Sequence, residues 1–285
     1  MLIVHRDAYG RKKFLAKPVS TTGKYIISGS IVEEYIYTNP QARHLLFDQT
    51  KSKGQGVRRT LTPEQEKDIQ LRSAYRAKQQ LRRLVDANFK EWKDLDEKLY
   101  TQKFLTLTFK ENLQDLDRAN HYFTDFIKRL NWHVSHDHKS RLKYVAVHEI
   151  QKRGAIHYHA IFFNLPFIRN EKIARIWDHG HIKVNKISSI KNVGSYLAKY
   201  LTKDAATPRQ KGQKRYFASR FLKLPRKVQE QDRVSKLGTI LSGVKPDFEY
   251  QTDQKSYVQY TYRTYDLSKR SPVKKLVLES LKDCY

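Results

Sequence analysis

Cysteine is almost missing from this chain of 285 residues, since Cys284 is its only one. A disulfide framework and a thiolate zinc site each need several cysteines, so both are excluded, and a reducing cytoplasm is the setting we expect. No apolar run approaches the roughly 18 residues that cross a bilayer, and the residues after Met1 lack the apolar stretch of a signal peptide. We therefore expect no membrane partner.

Acidic residues are scarce beside basic ones. The chain has 56 Lys and Arg against 29 Asp and Glu, a formal net charge of +27. Hydrophobic residues make up 39% of the chain, which is enough for a packed core and argues against a disordered basic tail. A folded protein with this charge is expected to bind a polyanion, because each phosphate that Lys or Arg neutralises releases a counterion. We expect this polyanion to be a nucleic acid in preference to an anionic membrane surface.

The sequence pattern divides the chain into three segments. Residues 1–60 form a β-rich N-terminal segment that ends in a Lys- and Arg-rich linker. Residues 61–225 form the main domain, and a long basic helix is predicted at its start because Thr62 and the proline after it supply an N-cap and a first-turn proline. Residues 226–285 form a C-terminal extension with one further strand-like run.

Strands and helices alternate within the main domain. Strand-like runs cover residues 104–109, 144–150, 156–163 and 181–187. Helical spacings cover residues 113–130, 173–177 and 188–203. A glycine-bearing turn joins the second and third strands into a hairpin. We predict an α+β fold of ferredoxin-like type, an antiparallel four- to five-stranded sheet with helices packed on it, plus appendages at both ends.

His-x-His pairs occur three times in the chain, and one of them is set in a strand. His157 and His159 flank a tyrosine in a run that continues with apolar residues, so strand alternation places both imidazoles on one face of the sheet. Two adjacent imidazoles pack poorly on a half-buried surface but make a good pair of metal ligands. The other two pairs, at positions 136/138 and 179/181, are predicted to lie in loops.

The third metal ligand depends on the register of the hairpin. A three-residue turn would pair position 149 with 159 and place Glu149 on the face of the histidines, whereas a two-residue turn would bring His148 and Ile150 there. We prefer Glu149, because two histidines and one carboxylate leave coordination positions open for a substrate oxygen. Such a set accepts Mn²⁺ readily, Mg²⁺ less readily, and Zn²⁺ or Co²⁺ in vitro.

A predicted helix near residue 200 repeats the unit Tyr-Leu-x-Lys. Helical spacing places Tyr196, Lys199, Tyr200 and Lys203 along one edge, next to an apolar stripe. One interpretation is that the tyrosines lie at the rim of the core with their hydroxyls in water. The other is chemical: a tyrosine can attack a phosphodiester to form a phosphotyrosine, provided that a metal and nearby lysines offset its high pKa.

In the order of these motifs the chain resembles the HUH endonucleases, which initiate rolling-circle replication. The shared features are the strand at residues 104–109, the His-Tyr-His strand and the Tyr-Leu-Ala-Lys-Tyr helix. The resemblance covers roughly residues 73–225 and is strongest to the two-tyrosine initiators of single-stranded DNA phages, including the filamentous gene II type, and of related plasmids and integrative elements. The basic stretch at residues 214–220 is also similar.

This resemblance implies roles for individual residues. It implies that Tyr196 is the nucleophile, that Tyr200 is a second nucleophile and that Lys199 is the accompanying lysine. The implied ligands of a divalent ion, Mn²⁺ or Mg²⁺, are His157, His159 and Glu149. Gln151 is a competitor for the third ligand position. The residues expected to bind the nucleic-acid backbone are Lys203, Lys214, Arg215 and Arg220.

The activity expected from the resemblance is metal-dependent, site-specific nicking and rejoining of single-stranded DNA through a 5′-phosphotyrosine, at a replication origin. The sequence contains no Gly-x-x-x-x-Gly-Lys-Ser/Thr loop, so unwinding is expected to come from a host helicase, with other host replication proteins as partners. Two alternatives remain: a non-catalytic nucleic-acid-binding module, and a strand transferase like the HUH transposases.

Overall fold

The computed structural model describes residues 3–6, 12–15, 23–38, 62–137, 139–187, 193–203, 215–252 and 259–281. The strands are β1 Ile3–Arg6, β2 Lys12–Leu15, β3 Gly23–Ser28, β4 Ile31–Tyr37, β5 Lys103–Thr108, β6 Tyr144–Ile150, β7 Ile156–Phe162, β8 Ile182–Lys186, β9 Phe217–Ala218, β10 Arg226–Val228, β11 Phe248–Gln251 and β12 Tyr260–Asp266. The helices are α1 Pro63–Asn88, α2 Leu116–Ser135, α3 Asn170–Trp177, α4 Val193–Lys203, α5 Gln231–Leu241 and α6 Ser271–Glu279.

Several predicted features lie outside the described residues. They are the basic linker at 48–59, His138, the first residues of the predicted tyrosine helix (188–192), Lys214 and the lone cysteine.

The chain divides into two compact units. The central unit comprises Arg59–Leu224, and the terminal unit combines Met1–Arg58 with Pro225–Tyr285. The α+β prediction is confirmed, since each unit contains a five-stranded antiparallel sheet. The two ends of the chain were expected to form separate appendages, but their strands share one sheet, in the order β10-β3-β4-β12-β11.

The sheet of the central unit has the strand order β8-β5-β7-β6-β9. Side-chain alternation gives it two apolar faces. One face buries Leu107, Tyr158 and Phe162 against α2 and α3. The other face buries Val147 and Ile161 against α1 and α4. The second of these layers positions the candidate site.

Helix α1 begins as predicted. Thr62 is the N-cap, and its hydroxyl accepts the Gln65 backbone N–H while the Gln65 side chain accepts the Thr62 N–H, which satisfies two otherwise unpaired donors. The helix packs closely on α4 at Gly194, where an added Cβ would lie 2.6 Å from the Arg82 carbonyl oxygen. A larger residue there would push α4 away from α1.

The hairpin between β6 and β7 corrects the predicted register. Its loop has five residues, 151–155, closed by hydrogen bonds from Gln151 N–H to Ala155 O and from Gly154 N–H to Gln151 O. Glu149 therefore lies opposite His157 and not opposite His159. A shift of two positions keeps every side chain on its face, so Glu149 and the two histidines still share one side of the sheet.

In the terminal unit, helices α5 and α6 cover one face of the sheet. Tyr25, Ile27, Val32 and Tyr265 are buried there beside apolar residues of both helices. Strands β3 and β4 match the β-rich runs seen in the sequence, whereas α5 and α6 were not predicted. Among the helices of the described residues, none is long and apolar enough to cross a membrane.

Candidate active site

His157 and His159 both point from β7 toward helix α4, and each faces a threonine of β5. In the sheet register Thr106 lies opposite His159 and Thr108 lies opposite His157. The Thr106 hydroxyl is 3.2 Å from His159 Nδ1, and the Thr108 hydroxyl is 3.4 Å from His157 Nδ1. Partners at Nδ1 orient an imidazole so that Nε2 is the atom presented to the site, as in many metal-ligating histidines.

Glu149 reaches across the hairpin to the more distant histidine. Its Oε2 is 2.6 Å from His159 Nε2, and both side chains are buried. His157 Nε2 is also buried, and it has no hydrogen-bond partner within the described residues. Burial lowers the pKa of His157, partly opposed by the negative charge of Glu149, so the neutral imidazole is favoured.

The donor atoms suit a divalent ion in kind. Two imidazoles and a carboxylate on one face form the mixed nitrogen and oxygen set that Mn²⁺ and related ions accept. A buried Nε2 without a partner is a costly arrangement that a ligand would relieve. Within the residues described here, no three His, Cys, Asp or Glu side chains are grouped so as to hold a metal. Gln151 also borders the site, with its Nε2 3.4 Å from His157 Nδ1.

Helix α4 places both predicted tyrosines against this cluster. The ring of Tyr200 stacks on that of His159, with centroids 3.8 Å apart and an angle of 19° between the planes. Tyr196 lies one turn earlier, its ring perpendicular to that of Tyr200 at 6.1 Å and 5.2 Å from that of Phe104. The imidazoles of β7 and the phenols of α4 therefore lie on the same side of the sheet, and one pair, His159 and Tyr200, is in direct contact.

Lys199 and burial set the electrostatics of the two phenols. The ammonium of Lys199 lies 4.0 Å from the ring centroid of Tyr196 and 5.0 Å from that of Tyr200. Burial, a hydrogen bond with Tyr196 and the charge of Glu149 raise the pKa of Tyr200 well above its usual value. Tyr200 is thus held neutral, and it needs added positive charge to act as a phenolate.

The predicted nucleic-acid-binding residues differ in their exposure to solvent. Arg220 is exposed. Arg215 is buried, and its guanidinium donates to the backbone and side-chain oxygens of Gln70 and to the Ser73 hydroxyl on α1. This position ties the segment before β9 to α1 and does not offer Arg215 to solvent. Lys203 ends α4, although its side chain, like all of Lys214, lies outside the description.

The His-x-His pair at 179/181 lies in a turn, where it was predicted. The carbonyls of His179 and His181 accept the N–H groups of Lys110 and Thr108 and so extend the pairing of β5. Gly180 has φ +147°, and an added Cβ would lie 2.4 Å from Lys110 N, so the close approach requires glycine. This pair holds the edge of the sheet together.

Sequence reasoning missed Thr106 and Thr108. The strand at residues 104–109 was noted only as a motif, yet its two threonines repeat with the same period of two as the histidines. Strand alternation places such residues on one face, so the pairing could have been proposed had the order of the strands been known.

One known family is similar to part of the chain. Residues 102–205 match a family model that describes replication-associated proteins of the ORF2 and gene II protein type. The matched stretch contains the two histidines, Glu149 and both tyrosines. Over this stretch, which is less than half of the chain, the protein is therefore similar to replication-associated proteins. No curated protein and no solved structure matches the chain.

Proposed function

We propose that this protein is a rolling-circle replication initiator of the two-tyrosine HUH type. It nicks one DNA strand at an origin, keeps the 5′ phosphate on a tyrosine and releases a 3′ hydroxyl that serves as primer. The single observation that carries the proposal is the contact of Tyr200 with His159, together with the hydrogen bond between His159 and Glu149. Nucleophile candidates and metal-ligand candidates thus occupy one cluster.

The divalent ion that this chemistry uses would be held by His157, His159 and Glu149. When bound, it supplies positive charge beside the scissile phosphate. Thr106 and Thr108 orient the two imidazoles through Nδ1, which keeps both Nε2 atoms directed at the site. These residues bind and orient; they do not react.

Tyr196 is the first nucleophile in this proposal. It is less buried than Tyr200, and the ammonium of Lys199 lies 4.0 Å from its ring, where it would offset negative charge on the phosphoryl group. The phenol oxygen attacks phosphorus and the bond from phosphorus to the 3′ oxygen breaks. Overall the phenol proton passes to the 3′ oxygen, so no water or external energy source is consumed.

Tyr200 makes rejoining direct. After one round of strand displacement it attacks the regenerated junction in the same way and releases a second 3′ hydroxyl. That hydroxyl attacks the first phosphotyrosine, restores the phosphodiester of a circle and returns Tyr196 to its phenol form. The two rings lie 6.1 Å apart on one helix, so a single element carries both nucleophiles.

A covalent-capture experiment tests the proposal without knowledge of the origin. The protein is incubated with Mn²⁺ and a pool of single-stranded oligonucleotides of random sequence, washed in hot detergent, and the retained DNA is sequenced. We expect an enriched sequence bound covalently to the wild type and to Tyr75→Phe, a matched control at an exposed tyrosine of α1. The variant with both Tyr196→Phe and Tyr200→Phe should retain none.

The main alternative is a non-catalytic DNA-binding module, which the burial of Tyr200 favours, because burial raises the pKa of its phenol and keeps it neutral. In that case the pool would be bound under native conditions, but hot detergent would release all of it from every variant. Covalent retention by the double phenylalanine variant would instead show that the nucleophile is another residue.

A further inference from the structure

The segment between β9 and the end of the central unit carries a phenylalanine that is both exposed to solvent and in an unusual backbone conformation. Phe221 is 82% exposed, and its φ of +61° lies in the left-handed region, which bulky side chains rarely adopt. Burial does not explain this phenylalanine, since most of its surface remains in water. A strained backbone persists only where its surroundings impose it, and such positions cluster at ligand-binding sites.

Asn88 anchors the loop two residues after Phe221. It is fully buried at the end of α1, and its side-chain oxygen accepts the Lys223 N–H at 2.9 Å while its amide donates to the Lys223 carbonyl at 2.9 Å. The same oxygen accepts Trp92 Nε1 at 3.2 Å, and the amide also donates to Leu84 O. Asn88 therefore fastens both the loop that carries Phe221 and the neighbouring indole.

Cations surround these rings. The ammonium of Lys143 lies 5.3 Å from the ring centroid of Phe221 and 5.4 Å from that of Trp92, and it donates to the Arg220 carbonyl. Arg220 is itself exposed. The nearby Glu91 pairs with Lys223 at 2.8 Å, so Lys143 and Arg220 add positive charge that this pair does not offset. Exposed aromatic faces next to cations suit unpaired bases joined by phosphates.

We propose that Phe221, Trp92, Lys143 and Arg220 form a platform for single-stranded DNA. A base stacks on Phe221, and the adjoining phosphates contact Lys143 and Arg220. Lys143 precedes β6 and Glu149 lies near its other end, about 20 Å along the strand, so the platform holds nucleotides several positions from the scissile phosphate. The choice of DNA as ligand rests on the proposed function, whereas the platform itself takes no part in the chemistry.

Binding measured without cleavage tests the platform separately. The probe is a fluorescein-labelled oligothymidylate of about 15 nucleotides, and its anisotropy is followed in EDTA with the protein that carries Tyr196→Phe and Tyr200→Phe. In this background Phe221→Ala should weaken binding about ten-fold, as expected for the loss of one stacked base. Phe221→Tyr should bind as the parent does. Phe167→Ala is the matched control, because Phe167 is 83% exposed in the same unit.

Phe221→Gly separates a binding role from a structural one. Glycine tolerates positive φ, so this variant should melt at a higher temperature than the parent and yet bind the oligonucleotide as weakly as Phe221→Ala. The proposal is overturned if Phe221→Ala binds as well as the parent, or if Phe167→Ala loses as much affinity. In either case covalent capture by the wild type would still decide the proposed function.

Discussion

In the terminal unit, Glu34 of β4 is buried among partners that satisfy it. Tyr25 donates to one carboxylate oxygen at 2.5 Å, Tyr265 donates to the other at 2.7 Å, and Arg263 lies 3.6 Å away. The pKa values of both tyrosines are raised, chiefly by burial and then by the charge of Glu34 and its hydrogen bonds. Every group in this cluster has a protein partner, as expected of a group that stabilises a fold.

In the central unit, the buried carboxylate of Glu149 has neighbours that are only partly hydrogen-bonded. Glu149 faces two histidines, of which His159 is hydrogen-bonded to it while the buried Nε2 of His157 has no partner in the described part of the chain. Both clusters are buried and lie on a β-sheet. In the Glu34 cluster every polar group has a hydrogen-bond or ion-pair partner, whereas in the Glu149 cluster one imidazole nitrogen has none within the described residues. A buried polar atom without a hydrogen-bond partner is costly, and we propose that a bound ligand relieves this cost at His157.

The largest effect is expected from Glu149→Gln. The amide keeps the shape of the side chain and a hydrogen bond to His159, but it removes the negative charge that would hold the ion. Covalent capture of DNA should fall by about 10³-fold, or about 4 kcal/mol in the barrier, while the melting temperature stays within a few degrees of the parent. Quantitative capture with Mn²⁺ measures this. If Glu149→Gln captured as much DNA as the parent, Glu149 would not hold the ion, and it would no longer differ in role from Glu34.

Glu34→Leu should show the opposite behaviour. Two buried hydroxyls and a guanidinium lose their acceptor, so the free energy of unfolding should fall by about 3 kcal/mol. Chemical denaturation measures the loss. DNA capture at a temperature where the variant is still folded should equal that of the parent, and a strong loss of capture would show that Glu34 also serves the reaction.

Replacement of Thr106 and Thr108 by valine tests the orientation of the imidazoles. Valine keeps the shape and the strand propensity but removes both contacts to Nδ1, so the affinity for Mn²⁺ should fall about ten-fold. Titration of capture activity against Mn²⁺ measures the change. Thr264→Val, in β12 of the terminal unit, is the matched control and should leave the titration unaltered.

The smallest effect concerns pH. The pKa of His157 is lowered on folding, so its stabilising contribution is present above about pH 6.5, the value of an unfolded histidine, and is lost as pH falls. The pKa values of Tyr25 and Tyr265 are raised, so their contribution is present below about pH 10 and is lost as pH rises further. Acid should therefore weaken the central unit, whereas alkali should weaken both units, because burial also raises the pKa values of Tyr158 and Tyr200 in the central unit.

Tryptophan fluorescence reports on the central unit, because Trp92, Trp132 and Trp177 all belong to it. Thermal unfolding followed by this signal should lose stability below about pH 6.5, as His157 gains a proton, and again above about pH 10, as the buried tyrosines ionise. A melting temperature of this signal that does not change between about pH 7 and about pH 5 would contradict the assignment to His157.

Local periodicity was enough to predict much of the central unit. Strand alternation placed His157 and His159 on one face, and helical spacing placed Tyr196 and Tyr200 on one edge, where the structure has them. The hairpin register was predicted wrongly because the loop conformation depends on Gly154 at φ +85° and on its packing against Gln114, neither of which a count of turn residues reveals.

The terminal unit was largely beyond prediction for a topological reason. Strand β4 pairs with β12, so Val32 lies opposite Tyr265 across more than two hundred residues of chain. The cluster around Glu34 exists only once that pairing forms. Short-range patterns carry no information on such contacts, whereas the candidate site is built from neighbouring elements of one continuous stretch.

Peptide mapping of the DNA adduct tests the central claim most directly. The protein captured on its preferred sequence with Mn²⁺ is digested with protease and nuclease, and mass spectrometry locates the residual nucleotide. The account predicts a 5′-linked nucleotide on the tryptic peptides that contain Tyr196 or Tyr200, and on no others. A nucleotide linked to any other residue, or strand cleavage without a covalent adduct, would contradict it.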